Sequence, residues 1–146
     1  MKKVILLFVG FVAAFIGVVF IGIQFVPYGH DHTNPPVTQG PKWDSPQTQK
    51  LMRSACMDCH SDETIWPWYS NIAPVSWLVQ KDVNEGRAFA NVSELDAGPV
   101  DANDMVRQIN NGRMPPLQYF PTHPDAVLNA AQKQQLIDGI KKTFGP

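Results

Sequence analysis

Both cysteines of the 146-residue chain fall in one run of five, Cys56-Met57-Asp58-Cys59-His60. C-x-x-C-H is the attachment signature of c-type haem: two thiols add to the haem vinyl groups, and the histidine after them coordinates iron from one face. At the end of a helix, two residues between the cysteines let both sulfurs reach one porphyrin edge while the next side chain swings beneath the iron. Other chemistries use such runs. Zinc takes four ligands, but His123 is the only other histidine in the folded part and there is no second C-x-x-C. A thioredoxin-type dithiol belongs in a βαβ setting, which a proline-rich helical sequence lacks. A disulfide between Cys56 and Cys59 would close too small a loop to stabilise much. The run therefore reads as the site of one covalent haem c, with Cys56 and Cys59 as attachment points and His60 as the proximal iron ligand.

An iron that carries electrons needs a second axial ligand, commonly a methionine sulfur. Met114 lies in Asn111-Gly112-Arg113-Met114-Pro115-Pro116. Pro115 biases Met114 away from helical backbone, and Pro115-Pro116 stiffens the chain beyond it, which suits a weak thioether ligand that must be presented ready-placed. Met114 is the expected distal ligand. His123, with Pro124 next to it, is the alternative, although it fits a loop leading into a helix equally well. Met52, Met57 and Met105 belong to helix-like segments and read as packing. Trp66, Trp68 and Tyr69, with Trp77 shortly after, are expected near the haem, shielding a face or hydrogen-bonding its propionates; an ordinary aromatic core is the other reading. Arg87 and Arg113 are candidate propionate partners or solvated surface. His30-Asp31-His32 reads as solvated polar chain rather than a metal site.

Helices must position these residues. Ser45 suits an N-cap with Pro46 at the first helical position, and Leu51, Met52 and Ala55 give an apolar side to a helix running to about Cys56. A second helix is expected over 74–85 with Gly86 stopping it, and a third over 102–110, capped by Asp101 and ended by Gly112. A last one begins after Asn129, with Gln134, Leu136, Ile137, Ile140 and Phe144 recurring at three and four, and Gly145-Pro146 ends it. No strand or repeat is visible. Thirteen prolines, all after residue 26, favour helices broken by fixed turns. The expected class is all-α: about four helices around a covalent haem, preceded by one transmembrane helix.

Residues 4–26 contain only Gly10, Gly17, Gly22 and Gln24 besides apolar residues. As a helix this stretch is about 34 Å long, enough to cross a hydrocarbon core of about 30 Å. Gln24-Phe25-Val26-Pro27 offers no small-x-small cleavage site, so an uncleaved anchor is favoured over a cleaved signal. Lys2 and Lys3 hold the amino terminus in the cytoplasm and send the rest across. Residues 1–27 are then the anchor, with the bilayer as partner of residues 4–26; residues 28–44, rich in Pro, Gly and polar side chains, are a flexible linker; residues 45–146 are one domain. Outside Lys2 and Lys3, ten Lys+Arg meet thirteen Asp+Glu, a balance that offers nucleic acid no basic patch.

Taken together, the C-x-x-C-H run, the stretch from Trp66-Pro67-Trp68-Tyr69 through Ser70-Asn71-Ile72-Ala73-Pro74-Val75-Ser76-Trp77, the Met114-Pro115-Pro116 loop and His123-Pro124 resemble the bacterial haem-binding domain family that carries a single C-x-x-C-H. The resemblance covers about residue 45 to the carboxyl end. It implies a monohaem protein similar in plan to small class I cytochromes c, single-pass in the bacterial cytoplasmic membrane, its carboxyl-terminal domain facing the periplasm. The function so expected is single-electron transfer rather than enzymatic turnover, with any peroxidase activity weak. A haem sensor or small-ligand module with an open or exchangeable distal position is the rival. No feature of the chain names a redox partner.

Overall fold

Ser45 begins the folded part as the sequence predicts: in the computed structural model, which describes residues 1–96 and 100–145, its Oγ accepts the Thr48 N–H at 3.2 Å and Pro46 takes the first helical position. The chain runs α1 (Lys2–Ile23), α2 (Pro46–Ala55), α3 (Met57–His60), α4 (Val75–Phe89), α5 (Ala102–Asn110) and α6 (Ala130–Phe144), with short 3-10 turns at Trp68–Asn71, Leu117–Tyr119 and Pro124–Ala126. The fold is all-α. Among the described residues the sole β feature is an isolated bridge between Gln39 and Glu94.

Contacts divide the chain into two units, residues 1–32 with 66–81 and residues 33–65 with 82–146. In the first, none of α1 is buried, and α1 is long and apolar enough to cross a membrane. Just past it, the Gln24 side-chain amide pairs with the Ala73 backbone in both directions, donating to its carbonyl at 3.0 Å and accepting its N–H at 2.9 Å. Gly29, at φ +90°, packs so closely that a Cβ would come within 2.8 Å of the Ser76 backbone.

The second unit holds the core. Leu51 and Met52 from α2, Met57 from α3, Val92, Val100, Ala102 and Ile109 about α5, and Leu136, Ile137 and Ile140 from α6 form one buried cluster. Threefold and fourfold spacing on α2 and α6 brings these side chains to one face each. Thr48 of α2 sits where a Cβ on Gly139 would be, so α2 and α6 cross at close range. Asp101 caps α5 through two backbone N–H groups, and Gly112, at φ +66°, ends it: Arg113 N–H reaches the Gln108 carbonyl and Gly112 N–H the Ile109 carbonyl. A reciprocal pair between Asn129 and Gln132 opens α6. Gly145 comes after α6 with an ordinary φ of −72°, and Pro146 lies outside the described residues.

Two expectations are corrected. The helix anticipated over 74–85 is α4, and Gly86 lies inside it rather than stopping it. A Cβ there would overlap the Cys59 carbonyl oxygen, so the glycine serves close backbone approach. Residues 33–44, anticipated as loose tether, are bound within the second unit: Asn34 donates to the Thr64 carbonyl at 2.9 Å, Thr38 and Gln39 N–H share the Ser93 carbonyl, and Trp43 meets Phe144 edge-on at 5.8 Å. Backbone pairing needs no hydrophobic periodicity, so it left no pattern to read.

Gly86→Ala is therefore expected to push α4 away from the C-x-x-C-H turn and to cost about 1–3 kcal/mol, the usual penalty of overpacking. A thermal melt of the purified full chain measures it; an unchanged Tm would show that the contact yields freely.

Candidate functional site

Cys56 caps α2 at its end and α3 at its start: its N–H reaches the Met52 carbonyl at 2.8 Å, but its φ of −135° breaks the helix. Its own carbonyl then accepts the N–H groups of Cys59 at 3.2 Å and His60 at 3.0 Å, which closes the single turn α3. Met57 points into the core, 3% exposed, and so turns Cys56, Cys59 and His60 toward a cavity of about 450 Å³. That volume is in the ordinary range for small-molecule and cofactor sites. Gly86 and Phe89 of α4, Met105 of α5 and, beyond α5, Met114 complete much of its wall.

His60 Nδ1 lies 3.0 Å from the Ala90 carbonyl. Only a protonated Nδ1 can bond there, so Nε2 carries the lone pair. Burial lowers the His60 pKa, against the smaller opposing pull of the Ala90 and Gly86 carbonyls, and the ring stays neutral. A neutral imidazole fixed through Nδ1, with the lone pair on Nε2, is a prepared iron ligand. Cys56 and Cys59 are free thiols. Burial pushes both up to about 12, with Cys59 adding to Cys56, and Asp82 and Asp58 adding to Cys59. They are uncharged donors, unlike the low-pKa thiolates of reactive dithiols. Among the described residues, no group of three or more His, Cys, Asp or Glu side chains is arranged to hold a metal ion.

Met114 is in the cavity wall, 41% exposed. His123 is not among the described residues that line it. Its ring stacks on Tyr119 at 3.7 Å with an interplanar angle of 6°, its Nδ1 lies 3.0 Å from the Tyr119 carbonyl, and its Nε2 is 3.7 Å from an Asp58 oxygen. Tyr119 does line the cavity, and its hydroxyl donates to Asp58 Oδ2 at 2.7 Å. Burial first, then the Asp58 carboxylate, pushes the phenol up and keeps it a donor.

The aromatic stretch lies in the other unit and has contacts of its own. None of Trp66, Trp68 and Tyr69 is among the described cavity-lining residues. Trp66 stacks on His32 at 4.6 Å, Trp68 is 76% exposed, and Tyr69 meets Trp68 edge-on. His32 also bonds the Ser70 carbonyl, so the His30-Asp31-His32 segment has one histidine engaged in packing. Arg87 is engaged by other groups of its own unit. Its guanidinium is spent on the Ser61 and Thr33 carbonyls, Asn34 Oδ1 and Thr64 Oγ1, all near 2.9–3.0 Å, with buried Asp62 at 3.6 Å. Arg113 does line the cavity.

Sequence reasoning missed Gly86, Tyr119 and the Ala90 carbonyl. The Tyr119–Asp58 bond joins residues 61 apart, and the Ala90 carbonyl is backbone. Neither leaves a motif.

The residues fit a haem: a neutral nitrogen ligand already oriented, two thiols beside it, a methionine in the same wall, and a largely apolar cavity. Independently, the family model described as a haem-binding domain matches residues 18–142. No curated protein and no solved structure matches the chain.

Proposed function

The chain belongs to the haem-binding domain family, and from that premise we propose that it holds one covalently attached haem c and passes single electrons at the periplasmic face of a bacterial cytoplasmic membrane. The observation that carries the reading is the convergence of Cys56, Cys59, His60 and Met114 on one cavity while His60 Nδ1 is occupied by the Ala90 carbonyl. When bound, the haem supplies an iron that gains and loses one electron. Cys56 and Cys59 would hold the group through their sulfurs, and His60 Nε2 and the Met114 sulfur would serve as its iron ligands. Apolar side chains about the cavity exclude water and limit reorganisation when charge changes. Arg113 offers a cation for a carboxylate of the same group. With α1 in the bilayer and Lys2 and Lys3 on the cytoplasmic side, the domain stands outside.

Expressed with a haem-maturation system, the protein is expected to keep its haem through denaturation and acid-acetone extraction, and the double substitution Cys56→Ser, Cys59→Ser to release it. Complete extraction from the unaltered protein would end the covalent reading.

The ferric protein is expected to be low-spin with a sulfur-to-iron charge-transfer band, and the ferrous protein to resist carbon monoxide. Met114→Ala should give high-spin iron open to carbon monoxide, and Met114→His a low-spin protein of lower potential, since thioether favours the reduced state more than imidazole does. An unaltered protein already high-spin, and indifferent to Met114→Ala, would make it a sensor instead.

A phosphatase fused after Pro146 is expected to be active outside the cytoplasm, with the protein retained in membranes after a carbonate wash. A mature form beginning near residue 27 would mark a cleaved signal and a soluble carrier.

A further inference from the structure

We propose that Tyr119 and Asp58 form a strut that positions Met114 as axial ligand by tying its loop to the turn that carries His60. This inference rests on the reading of Met114 as a ligand. Thioether sulfur is neutral and binds iron weakly, so its hold depends on how firmly the protein presents it. Met114 itself is 41% exposed and gains little from packing. On its amino-terminal side the loop is anchored to α5, where Arg113 and Met114 N–H groups turn back to the Gln108 carbonyl at 3.0 and 3.4 Å. On its carboxyl-terminal side, the N–H groups of Tyr119, Thr122 and His123 bond to carbonyls of residues 116–120, within the same segment.

Tyr119 supplies the long-range tie. It stands five residues after Met114, lines the same cavity, and donates its hydroxyl proton to Asp58 Oδ2 at 2.7 Å. Asp58 precedes His60 by two residues, and its other carboxylate oxygen accepts the Ile65 N–H at 3.0 Å, so the acceptor is itself held in place. Its carbonyl accepts Thr64 Oγ1 at 2.6 Å. The far face of the phenol ring is covered by the stacked His123 imidazole, whose Nδ1 is bound to the Tyr119 carbonyl. Phenol, carboxylate and imidazole thus form one rigid group within a few residues of both axial side chains. A hydrogen bond to a charged acceptor holds at short range and fails abruptly when either partner is removed, which is the behaviour wanted of a spacer.

The test uses the full-length holoprotein and reads the ferric sulfur-to-iron band and the rate of carbon monoxide binding to the ferrous form. Tyr119→Phe removes one oxygen and keeps the ring stack; Asp58→Ala removes the acceptor. Each is expected to weaken the band and to speed carbon monoxide binding about tenfold, the scale of one such bond, with the haem still covalently attached. Asp58→Asn offers one acceptor oxygen to two donors, the Tyr119 hydroxyl and the Ile65 N–H, and is expected to shift both readouts in the same direction as Asp58→Ala, and the double variant Tyr119→Phe, Asp58→Ala should be no worse than Asp58→Ala alone. If the unaltered protein shows the band and Tyr119→Phe leaves both readouts unchanged, the strut is refuted while the ligand reading stands. If the unaltered protein lacks the band and binds carbon monoxide as fast as Met114→Ala, both fall together.

Discussion

An imidazole has two nitrogens, and one must be committed to the protein before the other can serve as a reliable ligand. In this chain the commitment is the bond from His60 Nδ1 to the Ala90 carbonyl. Ala90 comes directly after α4, where helical carbonyls run out of intrahelical partners. The ring and the helix end therefore satisfy each other. The bond exists only because α4 comes close enough to the C-x-x-C-H turn, and that closeness depends on Gly86 having no side chain. The His60 carbonyl completes the join by accepting the Val92 N–H at 2.9 Å. Fixing one ring thus enlists the helix end and the chain beyond it.

The polar chemistry near this turn is sorted by side. Arg87 and Asp62 face away from the cavity toward buried backbone, where Asn91 and Ser93 also bond Asp62. A guanidinium that bridges carbonyls from residues 33 and 61 acts as a fastener rather than as a binding charge. In the wall itself Arg113 stands against Asp82, Glu85 and Asp104. Asp104 is in turn paired with Arg107, so the charges about the wall are partly matched.

Much of this was legible in the chain. The spacing of Cys56, Cys59 and His60, the cap at Ser45, the Gly112 stop and the three-and-four recurrence on the last helix are local features, and local features survive in sequence. What was not legible depends on approach in space. Gly86 reads as a stop because most glycines near a helix end are stops; only the neighbouring Cys59 carbonyl explains why this one lies within the helix. Arg87 reads as a surface or ligand cation until its partners are seen. Trp66 and its neighbours share a composition that fits a cofactor face and a protein core alike, and their actual partners, such as His32, lie far away in the chain. The segment after residue 32 has no periodicity, yet its backbone is paired.

The one-turn helix between the cysteines has a consequence for how freely the motif could be rewritten. By convention the two middle letters of C-x-x-C-H stand for anything. In this fold Met57 fills the core at 3% exposure, and Asp58 is engaged through its backbone and both carboxylate oxygens. A grafted pentapeptide with identical cysteines and histidine but different spacers would keep the reactive atoms and lose the fittings that aim them. The wildcards are the most context-bound letters in the motif, so transplantation would have to carry Met57 and Asp58 along with their distant partners.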